Sequence, residues 1–140
     1  MKVSQFAGKA AELIAYHHGD TSMISTIIGL AQDYPGTNNY PLLEKHGQFG
    51  SRLSGEAAAP RYINTRLHKN WDRFFKPEDQ QIVEYLYDDG EMIEPKYFIP
   101  VIPTILLNGC DGVGNGFKSS ILNYEIQDIV TGKQIGRAHV

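Results

Sequence analysis

The first thirty residues carry apolar side chains at steps of three and four positions, which is the spacing of one face of an α-helix. This pattern predicts an amphipathic helix over residues 3–16 and a second helix from Thr21 to about Ala31. Between them, Gly19 is expected to end the first helix in the left-handed conformation, and Asp20 to cap the second. Two helices joined by such a turn form a helix-turn-helix pattern, which on its own is a weak indication of DNA binding.

The periodicity is lost between residues 32 and 59, where proline, glycine and asparagine recur every few positions. This composition predicts a loop region with short strands. An irregular region of this length inside a compact domain is usually functional or disordered. Tyr34, Leu43 and Phe49 supply apolar anchors, which argue against disorder.

The second half of the chain mixes short helical and β-prone segments. Residues 64–75 are predicted to form a short helix. They carry the chain's one basic cluster, made up of Arg66, His68, Lys69 and Arg73. A turn is expected at residues 88–90. The stretch 97–107 is β-prone, although its prolines exclude it from a central strand, and a glycine-rich turn is expected over residues 108–116.

The order of these elements predicts a fold class. Two helices, a third helix and then a β-rich stretch with a projecting loop are typical of an α+β fold of winged-helix type. No internal repeat divides the chain.

Composition narrows the functional classes. A chain of 140 residues, 41% of them apolar, is long enough for one domain with a core. The net charge of −3 gives no general attraction to nucleic acid, so any DNA contact has to come from local groups. Cys110 is the single cysteine, which excludes an internal disulfide and fits a reducing compartment. No apolar run reaches the ~18 residues of a membrane span, so we expect a soluble, intracellular protein without a membrane partner.

Candidate chemistry centres on Pro60-Arg61-Tyr62, which follows a run of small residues. Pro60 disfavours a helical conformation at the residue before it and leaves the next residues extended. A phenol can act as a nucleophile, and a neighbouring guanidinium can stabilise the negative charge that the nucleophile creates. The alternative is that Arg61 is a surface charge and Tyr62 a half-buried packing residue, and the dipeptide alone favours this alternative.

Two other patterns are weaker. His17, His18 and His46 could suit a metal-dependent hydrolase with zinc or iron, but their spacing matches no common zinc site and we expect no bound metal. The glycines from Gly109 to Gly116 do not have the spacing of a dinucleotide-binding loop.

Five motifs occur in order along the chain: Tyr16–Asp20, Gly47–Arg52, Pro60–Ile63, Tyr85–Asp89, and Ile99–Pro103 continuing into Asn108–Gly114. In this combination the chain resembles the type IIA DNA topoisomerases, in particular the eukaryotic-type enzymes, from residue 2 to about residue 130. The resemblance implies the winged-helix part of a DNA breakage–reunion core over residues 1–116 and the start of a tower domain over residues 117–134. Residues 135–140 follow no periodicity and are expected to be a non-native tail.

The resemblance also implies roles for individual residues. Tyr62 would attack a DNA phosphate and form a 5′-phosphotyrosyl link, Arg61 would stabilise the charge on that phosphate, and His18 would contact the same phosphate region. Further DNA contacts would come from His17, Thr21, Ser51 and Arg52. Val113 would wedge between base pairs and bend the duplex, at a position where the family usually has isoleucine.

At the level of the whole enzyme, the resemblance implies an ATP-dependent homodimer that breaks both strands of double-stranded DNA, passes a second duplex and reseals the break. Mg²⁺ and ATP would bind the full-length enzyme outside this chain, so the chain alone is expected to be inactive. The enzyme would act in the nucleus of a eukaryote, or in the host cell if it is viral. The alternative is a winged-helix DNA-binding module without catalysis, in which Tyr62 only packs.

Overall fold

The computed structural model describes residues 1–132, which form an α+β fold of short elements. The helices are α1 (Val3–Leu13), α2 (Asp20–Ala31), α3 (Trp71–Phe74), α4 (Thr104–Asn108) and α5 (Ile126–Thr131), with a 3₁₀ helix at Pro77–Gln81. The strands are β1 (Leu43–His46), β2 (Asn64–Leu67), β3 (Tyr85–Asp88), β4 (Glu91–Pro95), β5 (Cys110–Gly114) and β6 (Phe117–Ile121). They pair as three antiparallel two-stranded sheets, β1 with β2, β3 with β4 and β5 with β6.

The main core lies where α1 and α2 pack on the sheet β1–β2. Its buried side chains are Val3, Ala7, Ile27, Ala31, Leu43, Phe49 and Ile63. The two residues that each helix contributes are four positions apart, which places them on the same face of that helix. One residue of each pair is alanine, so the helices can approach closely. The core therefore fixes α2 and the segment around Ile63 relative to α1.

α1 ends before the predicted residue 16, for a reason that the backbone shows. The Tyr16 amide donates to the Ala11 carbonyl at 2.9 Å, and the Ala15 amide to the Glu12 carbonyl at 3.5 Å. These are the two bonds of a Schellman motif, which closes a helix with a left-handed residue. That residue is Ala15, with a φ of 46°.

The predicted roles of Gly19 and Asp20 are wrong, whereas the second helix is confirmed. Gly19 has φ −67° and ψ 150°, an extended conformation, and it is the N-cap of α2. Asp20 is the first helical residue and its side chain makes no capping hydrogen bond. Because Ala15 already closes α1, the glycine does not have to adopt a left-handed conformation. The helix predicted from Thr21 to about Ala31 corresponds to α2.

The helix predicted over residues 64–75 is mostly wrong. Its first part is strand β2, which pairs with β1, and only Trp71–Phe74 is helical. Thr65 is 2% exposed, and its hydroxyl donates to the Glu44 carbonyl at 2.8 Å. Strand pairing over a long sequence separation thus outweighs the local pattern, and the predicted basic cluster does not lie on a single helix.

The structure of residues 97–116 also differs from the prediction. The stretch 97–107 forms no strand; instead Pro103 precedes the short helix α4. The glycine-rich segment 108–116 is largely strand β5, paired with β6 in a hairpin. Its turn lies at Asn115-Gly116, where φ is 51° and 80°. The turn predicted at residues 88–90 is confirmed, since Asp89-Gly90 joins β3 to β4.

Some predictions stay open at the level of the fold. The proposed boundary between residues 116 and 117 falls at the turn of the hairpin β5–β6. The tail 135–140, and the last two residues of the segment 117–134, lie outside the described residues. Within residues 1–132, no helix is both long enough and apolar enough to cross a membrane.

An ion pair joins β1 to β2 and makes a pH-dependent contribution to the stability of the fold. Arg66 Nε donates to Glu44 Oε2 at 2.6 Å, and this bond holds the pKa of Glu44 below its usual value of 4.5. A carboxyl whose pKa is lower in the folded state adds stability above the unfolded pKa, and this stability is lost as the pH falls through the folded pKa. We predict that Arg66→Gln flattens the loss of stability below pH 4.5.

Urea unfolding followed from neutral pH to strongly acidic pH checks this prediction. Arg73→Gln, at an exposed position of α3, is the matched control and should keep the acid dependence of the parent protein. An identical acid dependence in Arg66→Gln and the parent protein would count against the role of this pair.

Candidate active site

The turn that carries the candidate nucleophile is bonded to the start of α1. The Val3 amide donates to the Ile63 carbonyl at 3.0 Å, and the Ser4 amide to the Pro60 carbonyl at 3.3 Å. The first amides of an α-helix have no partner within the helix, so these bonds satisfy groups that would otherwise need water or a capping side chain. Ile63 is also 1% exposed in the core. The backbone on both sides of Tyr62 is therefore fixed.

The Tyr62 side chain itself points away from the core. It is 69% exposed, and the guanidinium carbon of Arg61 lies 4.9 Å from the centre of its ring. This is the distance of a cation–π contact. The exposure contradicts the alternative in which Tyr62 is a half-buried packing residue. The pair is in contact, and both side chains are accessible from solvent.

The loop of residues 47–58 is anchored at its base and exposed at its tip. Phe49 is buried in the core, and its carbonyl accepts a hydrogen bond at 2.8 Å from the side chain of Gln32, which directly follows α2. Ser51 and Arg52 are exposed. The loop thus presents these two polar side chains from a position that α2 fixes.

The two histidines before α2 have different neighbours. His18 and Thr21 line one open depression at the N-terminal end of α2, and the His18 ring makes an edge contact with Tyr16, with 5.2 Å between ring centres. The Nε2 atom of His17 lies 3.6 Å from a carboxylate oxygen of Asp88, next to the turn between β3 and β4. The structure therefore brings His18 and Thr21 together and places His17 against the hairpin β3–β4.

One side of α2 connects the separate parts of the site. Ser25 lines both the depression of His18 and a second depression formed with residues 55–60. Gln32 lines that second depression and a third one at the base of the hairpin β5–β6. Within residues 1–132, no hydrogen bond or ring contact joins His18 to Tyr62. One side of α2 therefore lies next to three parts of the site: the turn that carries His17 and His18, the segment that leads to Tyr62, and the hairpin β5–β6.

Sequence reasoning missed this side of α2. Thr21, Ser25 and Gly29 recur at four-residue steps, which places them along one side of the helix. The sequence could have indicated this side of α2, because the three residues of the row are all small or polar. The spacing of apolar residues does not show it.

Val113 lies on the projecting hairpin β5–β6. It is 84% exposed and pairs across the sheet with Lys118. All residues of β5 are exposed, so the hairpin extends away from the core. Phe117, at the tip, is exposed as well. The end of the hairpin therefore presents apolar side chains that could insert into an apolar partner.

The histidines and acidic residues do not form a metal site in the described part of the chain. Among residues 1–132, no three His, Cys, Asp or Glu side chains lie close enough together to hold a metal ion. His46 Nε2 lies 3.3 Å from a Glu44 carboxylate oxygen, whereas His17 contacts Asp88. The three histidines of the hydrolase alternative are thus not assembled, and the described residues do not fit a magnesium site.

The family of the chain follows from comparison with known proteins. The family of the A subunit of DNA gyrase/topoisomerase IV matches residues 1–135. The chain belongs to this family, which confirms the resemblance drawn from the five sequence motifs.

Individual relatives give the scale of the match. The chain is 46% identical over 132 residues to DNA topoisomerase 2-alpha of Homo sapiens and 45% identical over 132 residues to DNA topoisomerase 2-beta of Mus musculus. Each alignment covers 93% of this chain, but only 9% and 8% of the two relatives. The chain thus spans less than a tenth of their length.

A solved structure confirms the fold. The α+β fold matches the crystal structure of the Plasmodium falciparum topoisomerase II DNA-binding, cleavage and re-ligation domain with a TM-score of 0.88 and 48% identity. This match covers 94% of this chain and 18% of that chain.

Gly47 packs against the residue that follows Tyr62. Its φ is 112°, a conformation that other residues rarely adopt, and a Cβ built there would lie 3.0 Å from the Ile63 side chain. We predict that Gly47→Ala lowers the free energy of unfolding by about 1–3 kcal/mol, the cost of a strained backbone conformation. Gly8→Ala is the matched control. An added Cβ at Gly8, in α1, meets no atom within 4 Å, and alanine is the better helix former.

Urea unfolding of both variants checks this prediction. We expect Gly8→Ala to be as stable as the parent protein or more stable. A Gly47→Ala variant with the stability of the parent protein would show that the contact with Ile63 imposes no such constraint.

Proposed function

We propose that this chain is the DNA-cleaving segment of a type II DNA topoisomerase and that Tyr62 breaks and rejoins a DNA strand. The observation that carries this proposal is the contact between the exposed Tyr62 and Arg61 on a turn bonded to α1. A side chain that reacts with a large polymer has to be accessible. Its backbone also has to be fixed, so that the reacting atoms meet in a defined geometry. The turn meets both requirements.

The proposed step exchanges one phosphate ester for another. The Tyr62 oxygen attacks a backbone phosphorus and loses its proton, and the bond from phosphorus to the 3′ oxygen breaks as that oxygen takes up a proton. The 5′ phosphate is then linked to tyrosine, which retains the phosphodiester energy in a covalent intermediate. Attack by the freed 3′ hydroxyl reverses the step and reseals the strand.

Three groups are available to stabilise the negative charge that develops on the phosphate. The Arg61 guanidinium offers a fork of donors that matches phosphate oxygens. The N-terminal, positive end of the α1 dipole adjoins the same turn. We assign His18 a contact with the scissile phosphate, because it lies at the N-terminal end of α2, where anions are favoured.

The side of α2 defines the proposed path of the duplex. Thr21 at one end, His17 on the adjoining turn, and Ser51 with Arg52 on the neighbouring loop are exposed side chains that would contact the DNA backbone. Contacts of this kind fix the register of a protein on DNA without reading its sequence. They also suit a chain whose net charge of −3 offers no general attraction to DNA.

Val113 is proposed as the wedge that bends the duplex. An apolar side chain inserted between base pairs costs a few kcal/mol of stacking, which wider contact with the bent DNA offsets. The 84% exposure of Val113 on a projecting hairpin supports this role. Valine is one methylene shorter than the isoleucine usual in the family, so a shallower insertion is expected.

The remaining parts of the activity belong to a longer polypeptide. In this proposal, residues 1–116 form its winged-helix part and residues 117–134 begin its tower domain. A homodimer supplies a second Tyr62 for the opposite DNA strand. Mg²⁺ and ATP bind to parts of the polypeptide outside this chain, and a eukaryotic enzyme acts in the nucleus.

We predict that Tyr62→Phe abolishes covalent attachment to DNA. Full-length protein is mixed with magnesium and radiolabelled supercoiled plasmid and then denatured with detergent. The wild type should retain label, and Tyr62→Phe should lose at least about a hundredfold, because phenylalanine has no nucleophilic oxygen. Tyr87→Phe is the matched control, since Tyr87 is 68% exposed and Tyr62 69%.

The outcomes separate the two candidate functions. A winged-helix DNA-binding module without catalysis would accommodate the side of α2 and the hairpin equally well. It predicts DNA binding by the wild type without any covalent label. A Tyr62→Phe protein that still forms the adduct would refute the assignment of the nucleophile.

A further inference from the structure

The hairpin β5–β6 has little packing of its own to hold it in place. Every residue of β5 is exposed, and in β6 only Ile121 is partly covered. An isolated two-stranded hairpin is at best marginally stable, and its orientation depends on whatever contacts its base. The role proposed for Val113 requires a defined orientation, because a wedge has to meet one base step at a fixed distance from Tyr62.

Asn108 supplies the contact at that base. Its Oδ1 accepts a hydrogen bond from the Tyr40 amide at 2.9 Å, and its Nδ2 donates to the Tyr40 carbonyl at 2.9 Å. The side-chain amide therefore satisfies both backbone groups of one residue, as a neighbouring strand would. The next residue, Gly109, directly precedes β5, and a Cβ built there would lie only 2.7 Å from the Ile121 carbonyl oxygen.

The loop that Asn108 bonds is itself fixed to α2. Asn38 Nδ2 donates to the carbonyls of Gly29 and Gln32, at 2.6 and 2.8 Å, at the C-terminal end of that helix. The ring of Tyr40 packs edge-on against Phe74, which is buried. A continuous series of contacts thus runs from α2 through the loop to Asn108 and the hairpin.

We infer that Asn108 is a positioning residue, which fixes the hairpin and its Val113 wedge relative to α2 and so sets the bend of the DNA at the cleavage site. This inference rests on the proposed function, because it acts through the wedge. Two further side-chain bonds join the same loop to the segment after β6, from Asn123 Nδ2 to Asn39 Oδ1 at 3.1 Å and from Asn39 Nδ2 to the Tyr124 carbonyl at 3.5 Å, and both are exposed. Asn108 provides two of the bonds and lies next to the strand that carries Val113.

The test is a double-mutant cycle on DNA bending. Full-length protein is bound to a short duplex labelled at both ends, and energy transfer reports the bent fraction. Asn108→Leu removes both hydrogen bonds at similar volume and should lower the ratio of bent to unbent complex about tenfold, the effect expected for two such bonds. In a Val113→Ala background the same change should have no further effect, because the wedge through which it acts is absent.

A control variant and three possible results decide whether the inference holds. Asn70→Leu makes the same change at a part-buried asparagine before α3 and should bend DNA like the wild type. Normal bending by Asn108→Leu would overturn the inference. A loss of bending that persists in the Val113→Ala background would also overturn it, because general destabilisation does not depend on the wedge. Normal bending by Val113→Ala alone would overturn the wedge and the positioning role together.

The covalent adduct, measured in the same samples, separates this inference from the proposed chemistry. A Tyr62-dependent adduct together with normal bending by Asn108→Leu would refute the positioning role alone. An adduct that survives Tyr62→Phe, together with the predicted bending cycle, would refute the nucleophile and leave the positioning role intact.

Discussion

The structure depends on the first amides of α1, which have no hydrogen-bond partner within the helix. Val3 and Ser4 donate to the Ile63 and Pro60 carbonyls, so one set of hydrogen bonds both completes a helix and fixes the turn that carries Tyr62. Ile63 contributes to the same core as the two helices. A side chain can therefore be largely exposed while its backbone is held on both sides, which is the combination that a nucleophile acting on a polymer requires.

α2 organises the rest of the site around this turn. Its buried face packs in the core through Ile27 and Ala31, and its polar side lines depressions shared with the histidine turn, the segment 55–60 and the base of the hairpin β5–β6. Elements that are distant in sequence thus all lie against the same helix. The hairpin has almost no core contact, so its relation to α2 rests on side-chain amides rather than on apolar burial.

The sequence predicted what depends on local pattern and missed what depends on distant partners. The spacing of apolar residues identified α2, and Asp88-Asp89-Gly90 identified its turn, because both signals lie within a few residues. Residues 64–67 were predicted as helix although they pair with β1, and the glycines of β5 were predicted as a turn although they pair with β6. Asn108 could not be singled out, since its partner Tyr40 lies 68 residues away. Arg61 and Tyr62 were singled out from the local residue pattern, and the family motifs strengthened that prediction. Their contact with each other required the structure.

The central claim is that the Tyr62 oxygen becomes bonded to DNA. It is tested most directly by trapping the covalent complex of the full-length protein, digesting it with nuclease and protease, and locating the remaining nucleotide by mass spectrometry. The account predicts a nucleotide phosphate on the peptide that contains Tyr62, attached to that tyrosine. A nucleotide on another residue, such as the equally exposed Tyr87, would contradict it.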